Sequence, residues 1–284
     1  MADYYLASGF ARGELARADS AGELLAWALD IAAQARPTDI YRDKEGRKTL
    51  RFEYAGNAWF LKLHTGVGWA EVCKNLLQLR LPVISARNEY RAVLALRRAG
   101  VPTLDIAAYA RRGWNPARVR SMIVSAELSG TVSLEHYCAN WAMQAPAPAV
   151  RMRLIRTLAH SARQMHELGI NHRDFYLCHF HLDESSLQQP QTRCYLIDLH
   201  RAQVRKHTPR RWRVKDLAGL YFSAMDCGLG RRDLLRFIRH YSGCKLRVAL
   251  AGDERLWREV ERQAGKLYRK AHGREPPALR ARVH

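Results

Sequence analysis

Apolar residues recur at helical spacing in ELLAWALDIAAQA (23–35), which predicts an amphipathic helix closed by Pro37. The pattern then turns to alternation. TDIYRD, LRFEY (50–54) and AWFLKLH (58–64) read as strands, with Ala55-Gly56-Asn57 as the turn between the last two. In AWFLKLH the residues Trp59, Leu61 and Leu63 share one face, and Phe60, Lys62 and His64 share the other. Helical period returns in GWAEVCKNLLQLR (68–80) and in RNEYRAVLALRRAG (87–100), where Gly100 is a natural stop. TLDIAAYAR and SMIVSAEL (121–128) are further strands, so residues 38–128 read as antiparallel strands plus two helices.

The texture changes at NWAMQAPAPAV (140–150), a Pro/Ala boundary. Beyond it, VRMRLIRTLAHSARQMHEL (150–168) sets Leu154, Ile155, Leu158, Ala162 and Met165 on one helical stripe, and Gly169 ends it. CYLIDLHRA (194–202) is a short strand running into a polar turn. VKDLAGLYFSAMDC, RRDLLRFIRHYS and ERLWREVERQAGKLYRKAH are helical by period. The expectation is α+β: a small strand-rich lobe followed by a larger helical lobe.

Charge sharpens this picture. The 284 residues carry a formal net charge of +20, and residues 201–284 alone hold 22 Lys+Arg against 8 Asp+Glu. A basic half of this kind implies an anionic partner: nucleic acid, an anionic membrane face, an acidic protein or a phosphorylated substrate. A merely solvated basic surface is the plainer alternative. The six cysteines are scattered without a CxxC pair, which predicts free thiols and a reducing compartment. MADYYLASGFARGEL lacks a signal-peptide pattern, and no apolar run approaches the roughly 20 residues of a membrane span. A cytoplasmic protein is expected, peripheral on a membrane at most.

NHRDFYLCHFHLD (171–183) is rich in the side chains of a metal cage and equally in those of a phosphotransfer loop. Its context weighs for the second. It follows a long amphipathic helix, and an apolar strand ending in Asp198 comes about twenty residues later. Upstream, Lys62 lies in the third of three strands and Glu89 on a helix beyond it. That order supplies the parts of ATP-dependent phosphoryl transfer, in which catalysis is chiefly positioning and cationic stabilisation. Lys62 would contact the nucleotide phosphates with Glu89 holding it, and Asp198 would ligate Mg²⁺. Asp174 would accept or orient the proton of the attacking hydroxyl.

On these motifs the chain resembles the eukaryotic-like kinase superfamily, and specifically the bacterial lipopolysaccharide core heptose(I) kinases. The resemblance spans nearly the whole chain. It is carried by EGRKTLRFEYAGNAWFLKLHTGVGWAEVCKNLLQLRLPVISARNEYRAV (45–93), by the HRDxYxCHF pattern within 171–183, and by CYLIDLHRAQVR (194–205). It implies a bilobal protein-kinase-like fold: an N-lobe over 1–130 with the nucleotide-binding sheet and the Glu89 helix, and a helical C-lobe over 131–284. It implies Asp174 as catalytic base, Lys62 and Glu89 as the nucleotide-lysine pair, Asp198 on the metal, and ATP with Mg²⁺ as cofactors. It further implies a heptose hydroxyl of the lipopolysaccharide inner core as acceptor, at the cytoplasmic face of the inner membrane.

Departures from ordinary protein kinases are informative. No GxGxxG precedes Lys62; RDKEGRKT (42–49) takes its place, with Arg47 and Lys48 as candidate phosphate contacts. His179 stands where an asparagine usually binds a second Mg²⁺, so it is a candidate metal ligand or has some other task. No APE follows Asp198; Asp216 comes 18 residues later and reads as a buried aspartate of the next helix. So short a segment lacks a peptide-docking platform, which favours a glycan or other small acceptor. A Kdo kinase or an aminoglycoside/choline-type phosphotransferase stays open beside the heptose reading. So does a zinc site using Cys178, His179, His181, Cys194 and His200. Nucleic acid is not expected, since no helix-turn-helix, RNP or zinc-finger signature accompanies the charge. RKHTPRRWRVK (205–215) and the later arginines are the candidate face for lipopolysaccharide, an anionic membrane, or an acidic protein such as acyl carrier protein.

Overall fold

The computed structural model describes residues 3–44, 46–77, 83–189 and 191–279. The chain divides into two compact units, Met1–Val93 with Leu104–Ser129, and Leu94–Thr103 with Gly130–His284.

The first unit contains β1 (Tyr4–Leu6), α1 (Ala21–Gln34), β2 (Ile40–Lys44), β3 (Arg47–Tyr54), β4 (Asn57–His64), α2 (Gly68–Leu77), the start of α3 (Arg87–Arg98), β5 (Ile106–Arg112) and β6 (Arg120–Ala126). The strands form one antiparallel sheet in the order β1-β5-β6-β4-β3-β2. Residues 78–80 of the expected helix 68–80 lie outside the described residues. The β3–β4 turn falls on Ala55 and Gly56, both at positive φ (51° and 77°), the backbone a tight hairpin demands. β1 was not expected: three residues are too few to show alternation, and it joins by pairing Tyr5 with Tyr109 on β5.

The sheet is faced on both sides. α1 begins at Ser20, whose hydroxyl accepts from the Glu23 amide while the Glu23 carboxylate accepts from the Asp19 amide. Its apolar stripe, Leu24, Leu25, Trp27, Ala28 and Ala32, packs with Leu50, Leu61, Leu63, Met122 and Val124 in one core. Each large side chain so buried stabilises by about 1.5–3 kcal/mol. On the other face Tyr90 of α3 stacks on Tyr109 of β5 at 4.1 Å, and Ser121 of β6 accepts the Ala86 amide at 2.9 Å. That second face carries Lys62.

The second unit contains β7 (Thr131–Ser133), α4 (Leu134–Tyr137), α5 (Pro148–Glu167), β8 (Ile170–Asn171), β9 (Phe180–Asp183), β10 (Cys194–Leu196), β11 (Gln203–Val204), α6 (Arg210–Ala224), α7 (Arg231–Ser242), α8 (Leu246–Gly252) and α9 (Glu254–His272). Four of the five α5 stripe residues are buried; Leu158 is half-buried and Ala159 completes the seam. Two small sheets, β10-β9-β7 and β11-β8, position the polar loops. Gly169 makes the second possible. At φ 75° it lies so close to the Arg205 carbonyl that any Cβ would overlap it.

Candidate active site

In the first unit the sheet register decides which cations can act together. Lys62 pairs with Thr49 across β3–β4 and points to the α3 face, where its Nζ lies 2.6 Å from Oε1 of Glu89. Glu89 is 1% exposed and Lys62 21%, so the carboxylate is sealed and the ammonium is reachable. Arg47 pairs with His64 and shares the Lys62 face. Lys48 pairs with Leu63, on the α1 face, and its Nζ is 3.2 Å from Asp43. The strand pleat therefore separates the two candidates in the β2–β3 turn.

In the second unit a set of bonds locks the two polar loops together. The His172 ring, fully buried and kept neutral by that burial, donates from Nε2 to the Ile197 carbonyl at 2.9 Å, one residue before Asp198. Ile197 donates its amide to the His179 carbonyl at 3.0 Å, and β8 pairs with β11 through Asn171 and Gln203. Arg173 (φ 79°) and Asp198 (φ 59°) both sit in the left-handed region, unusual for residues with a Cβ. Asp216, buried on α6, over-determines the first: its two carboxylate oxygens accept the amides of His172 and Arg173, each at 2.8 Å.

This backbone presents Asp174. Nη1 of Arg201 donates to both of its carboxylate oxygens, at 2.9 and 3.0 Å, and Asp174 stays partly exposed. Beside it, His179 Nδ1 donates to the Asp174 carbonyl at 2.6 Å, leaving Nε2 3.5 Å from Oδ2 of Asp198. Nδ1 of His200 donates to the other Asp198 oxygen at 2.6 Å. Burial disfavours the charged form of His179. The Cys178 sulfur, the Asp174 carbonyl and the Asp198 carboxylate outweigh it and push the imidazole up to about 9.

The sequence matches the lipopolysaccharide kinase (Kdo/WaaP) family over residues 32–241. The chain belongs to that family. A lipopolysaccharide core heptose(I) kinase WaaP of Pseudomonas aeruginosa is 47% identical over 238 residues, covering 84% of this chain and 89% of that one. One from Escherichia coli is 45% identical over 231 residues, covering 81% and 87%. The solved structure of WaaP in complex with acyl carrier protein superimposes with a TM-score of 0.76 at 40% identity, covering 93% of this chain and 99% of that one. The α+β, protein-kinase-like expectation holds, and family membership makes the chain a kinase, an enzyme that takes phosphate from ATP.

The zinc cage is not formed. Among the described residues no cluster of three His, Cys, Asp or Glu side chains could hold a metal. The reason is that each histidine of 171–183 is committed elsewhere: His172 to Ile197, His179 to Asp174, and His181 Nδ1 to the Thr131 hydroxyl at 3.1 Å. Cys194 is sealed, and burial pushes its thiol up to about 12. A hard cation that takes most of its ligands from nucleotide phosphates and water needs only one or two protein donors. The Asp198 carboxylate fits that demand; His179 Nε2, 3.5 Å from it, carries a proton at neutral pH and becomes a ligand only as the neutral imidazole.

Sequence reasoning gave no role to Arg201 or Arg173, and took Trp212 and Lys215 only as part of the basic stretch 205–215. Arg201 lay in plain view within LIDLHRA, three residues after Asp198. The others meet only through the fold: Arg173 and Lys215 both lie over the Trp212 ring, at 5.6 and 5.4 Å from its centroid.

Proposed function

We propose that the chain transfers the γ-phosphate of ATP to a hydroxyl of the first heptose of the lipopolysaccharide inner core, the sugar named for its Pseudomonas and Escherichia relatives. The observation that carries this reading is the presentation of Asp174. It remains reachable while fixed by an arginine rather than by backbone amides. Asp174 would orient the acceptor hydroxyl and take up its proton. Arg201 keeps that carboxylate aimed, and its own charge offsets negative charge developing on the transferred group. Lys62, braced by Glu89, would contact the α and β phosphates, with Arg47 on the same face of its sheet as a further contact. Asp198 would hold Mg²⁺, which neutralises phosphate charge when bound, with His179 joining it only as the neutral imidazole.

The short path from Asp198 to α6 supports a glycan over a protein acceptor. After β11 ends at Val204 the chain enters α6 at Arg210, and residues 205–209 between them are too few for a peptide-docking segment. No described helix is long and apolar enough to cross a membrane, so contact with the anionic inner-membrane face would be peripheral.

An acidic partner protein fits as well. The second unit holds an apolar cavity of about 500 Å³ lined by residues including Leu154, Leu158, Leu217, Ala224, Ile238 and Trp257. Its size and lining suit the acyl chain of an acyl carrier protein, the partner in the related WaaP structure. The test of function is a transfer assay with labelled ATP on three acceptors: core lipopolysaccharide, free Kdo and a basic protein. Phosphate on the core heptose alone supports the reading; phosphate on Kdo or on the protein replaces it.

A further inference from the structure

Four cations surround one indole beside Asp174. The guanidinium carbons of Arg173, Arg205 and Arg211 lie 5.6, 5.6 and 5.5 Å from the Trp212 ring centroid, and Nζ of Lys215 lies 5.4 Å from it. Any two of these charges are therefore within twice that distance of each other. Arg205 is bonded to Asn171 and Gln203, both neutral. Arg173, Arg211 and Lys215 have no acidic group within 4.0 Å among the described residues. The carboxylates in electrostatic range, Asp174 and Asp216, are already engaged by Arg201 and by backbone amides.

Three further facts distinguish this cluster from a solvated basic surface. Arg173 is 7% exposed, and its Nε has no hydrogen-bond partner; neither has the indole Nε1 of Trp212. An arginine this deeply buried with a donor unmet is a site awaiting an acceptor. Second, α6 opens with Arg210, Arg211, Arg213 and Lys215 and has no acid in its first turn. A helix N-terminus favours anions and disfavours cations, so this arrangement costs stability unless an anion binds there. Third, burial lowers the proton affinity of Arg173, Arg205 and Lys215, and neighbouring cations depress each further.

We propose that Arg173, Arg205, Arg211 and Lys215, gathered on Trp212, bind an anionic group of the glycan acceptor, a carboxylate or phosphate borne close to the hydroxyl that receives phosphate. The placement follows from chain adjacency, since Arg173 immediately precedes Asp174 and Arg201 holds that aspartate. Planar guanidinium groups match oxyanions through paired N–H donors, and Lys215 adds a point charge. This rests on the glycan-kinase reading above and names what that acceptor must carry: an acidic substituent as well as a hydroxyl.

The test uses the full-length chain with ATP and deacylated core oligosaccharide in two forms, native and with carboxylates esterified and phosphates removed. The paired variant Arg211→Ala/Lys215→Ala is chosen because both side chains are reached by solvent and neither braces the loop. It should raise KM for the native acceptor by about tenfold or more with the ATP KM unchanged. On the neutralised acceptor wild type and variant should be equally poor, and Lys215→Arg should retain most of the native KM. An equal penalty on both acceptors, or none, overturns the proposal. Phosphatidylcholine vesicles with and without phosphatidylglycerol address a lipid headgroup instead. Loss of anionic-vesicle binding by the variant with an unmoved acceptor KM also overturns it. If no form of the chain phosphorylates the oligosaccharide, the function above falls, and the site is judged by binding alone. Trp212 emission, taken as wild type minus Trp212→Phe, should then respond saturably to the oligosaccharide and at least about tenfold more weakly in the paired variant; no response overturns the site.

Discussion

Glu89, sealed on α3, places a carboxylate oxygen 2.6 Å from Nζ of Lys62 on β4. The two ends of this pair are buried unequally, so their removal should be unequal too. Lys62→Met strands a buried carboxylate and should destabilise by about 3 kcal/mol or more in urea denaturation; Glu89→Gln, which leaves a reachable ammonium, should cost less. Both should weaken binding of a fluorescent ATP analogue and lower turnover. Equal stability losses would show that the carboxylate is not buried as described.

Asp174 and Arg201 act as a unit in this site. Asp174→Asn should lower kcat for core phosphorylation by about 10²–10⁴ with nucleotide binding retained. Arg201→Ala should lower kcat as well, and Arg201→Lys should recover part of it, because a single ammonium can hold the carboxylate without the same geometry. Near wild-type turnover of Asp174→Asn would remove it from the chemistry.

Much of this arrangement could be read from residue order. Lys62 and Glu89 were legible because strand and helix periods are local, and Asp198 because an apolar strand runs directly into it. What could not be read depends on contacts distant in sequence. Arg173 and Trp212 are far apart in the chain and meet only because β8 pairs with β11 and α6 follows at once. The strands β7 to β11 have two to four residues each, too short for alternation to register. Arg47 and Lys48 looked equivalent as neighbours, yet the period of two sends them to opposite faces of the sheet. The left-handed φ values of Arg173 and Asp198 leave no trace in composition, since neither residue is glycine.

Asp216 supports the strained loop, and its loss should be felt as stability before activity. Its carboxylate accepts two buried amides and lies 3.4 Å from Nε2 of His166. Hydrogen bonds to a charged group contribute about 1.5–3 kcal/mol each, so Asp216→Ala should destabilise by about 3 kcal/mol or more. Asp216→Asn keeps one acceptor oxygen and should lose less. A calorimetric transition of Asp216→Ala unchanged from wild type would contradict this role.

The His160 and His240 rings, 5.6 Å apart on α5 and α7, give a pH dependence of definite sign. Burial lowers both below the ordinary 6.5, with Arg156 and Arg163 adding to it at His160, and His160, Arg239 and Arg156 at His240. The unfolded chain therefore takes up protons near pH 6.5 while the folded chain still resists, so stability is lost as pH falls through that value. Relative to wild type, His160→Gln/His240→Gln should gain in denaturation midpoint as pH falls from about 7.5 to about 5.5, making any drop over that range shallower. A steeper drop in the paired variant would reverse the sign argued here.

The apolar cavity of the second unit offers a way to separate the partner from the chemistry. Ala224 lies on its wall with Leu158 and Ile238, so Ala224→Phe adds a ring to existing space rather than to a filled core. If an acyl chain occupies that space, the ring competes with it directly. Association with acylated carrier protein, followed by gel filtration, should fall steeply. Association with the unacylated carrier, held by charge on the basic surface, should be unaffected. Transfer of phosphate to core oligosaccharide by the variant, measured without carrier, should stay near wild type. Unchanged binding of the acylated carrier would place its acyl chain elsewhere and leave the cavity without that occupant.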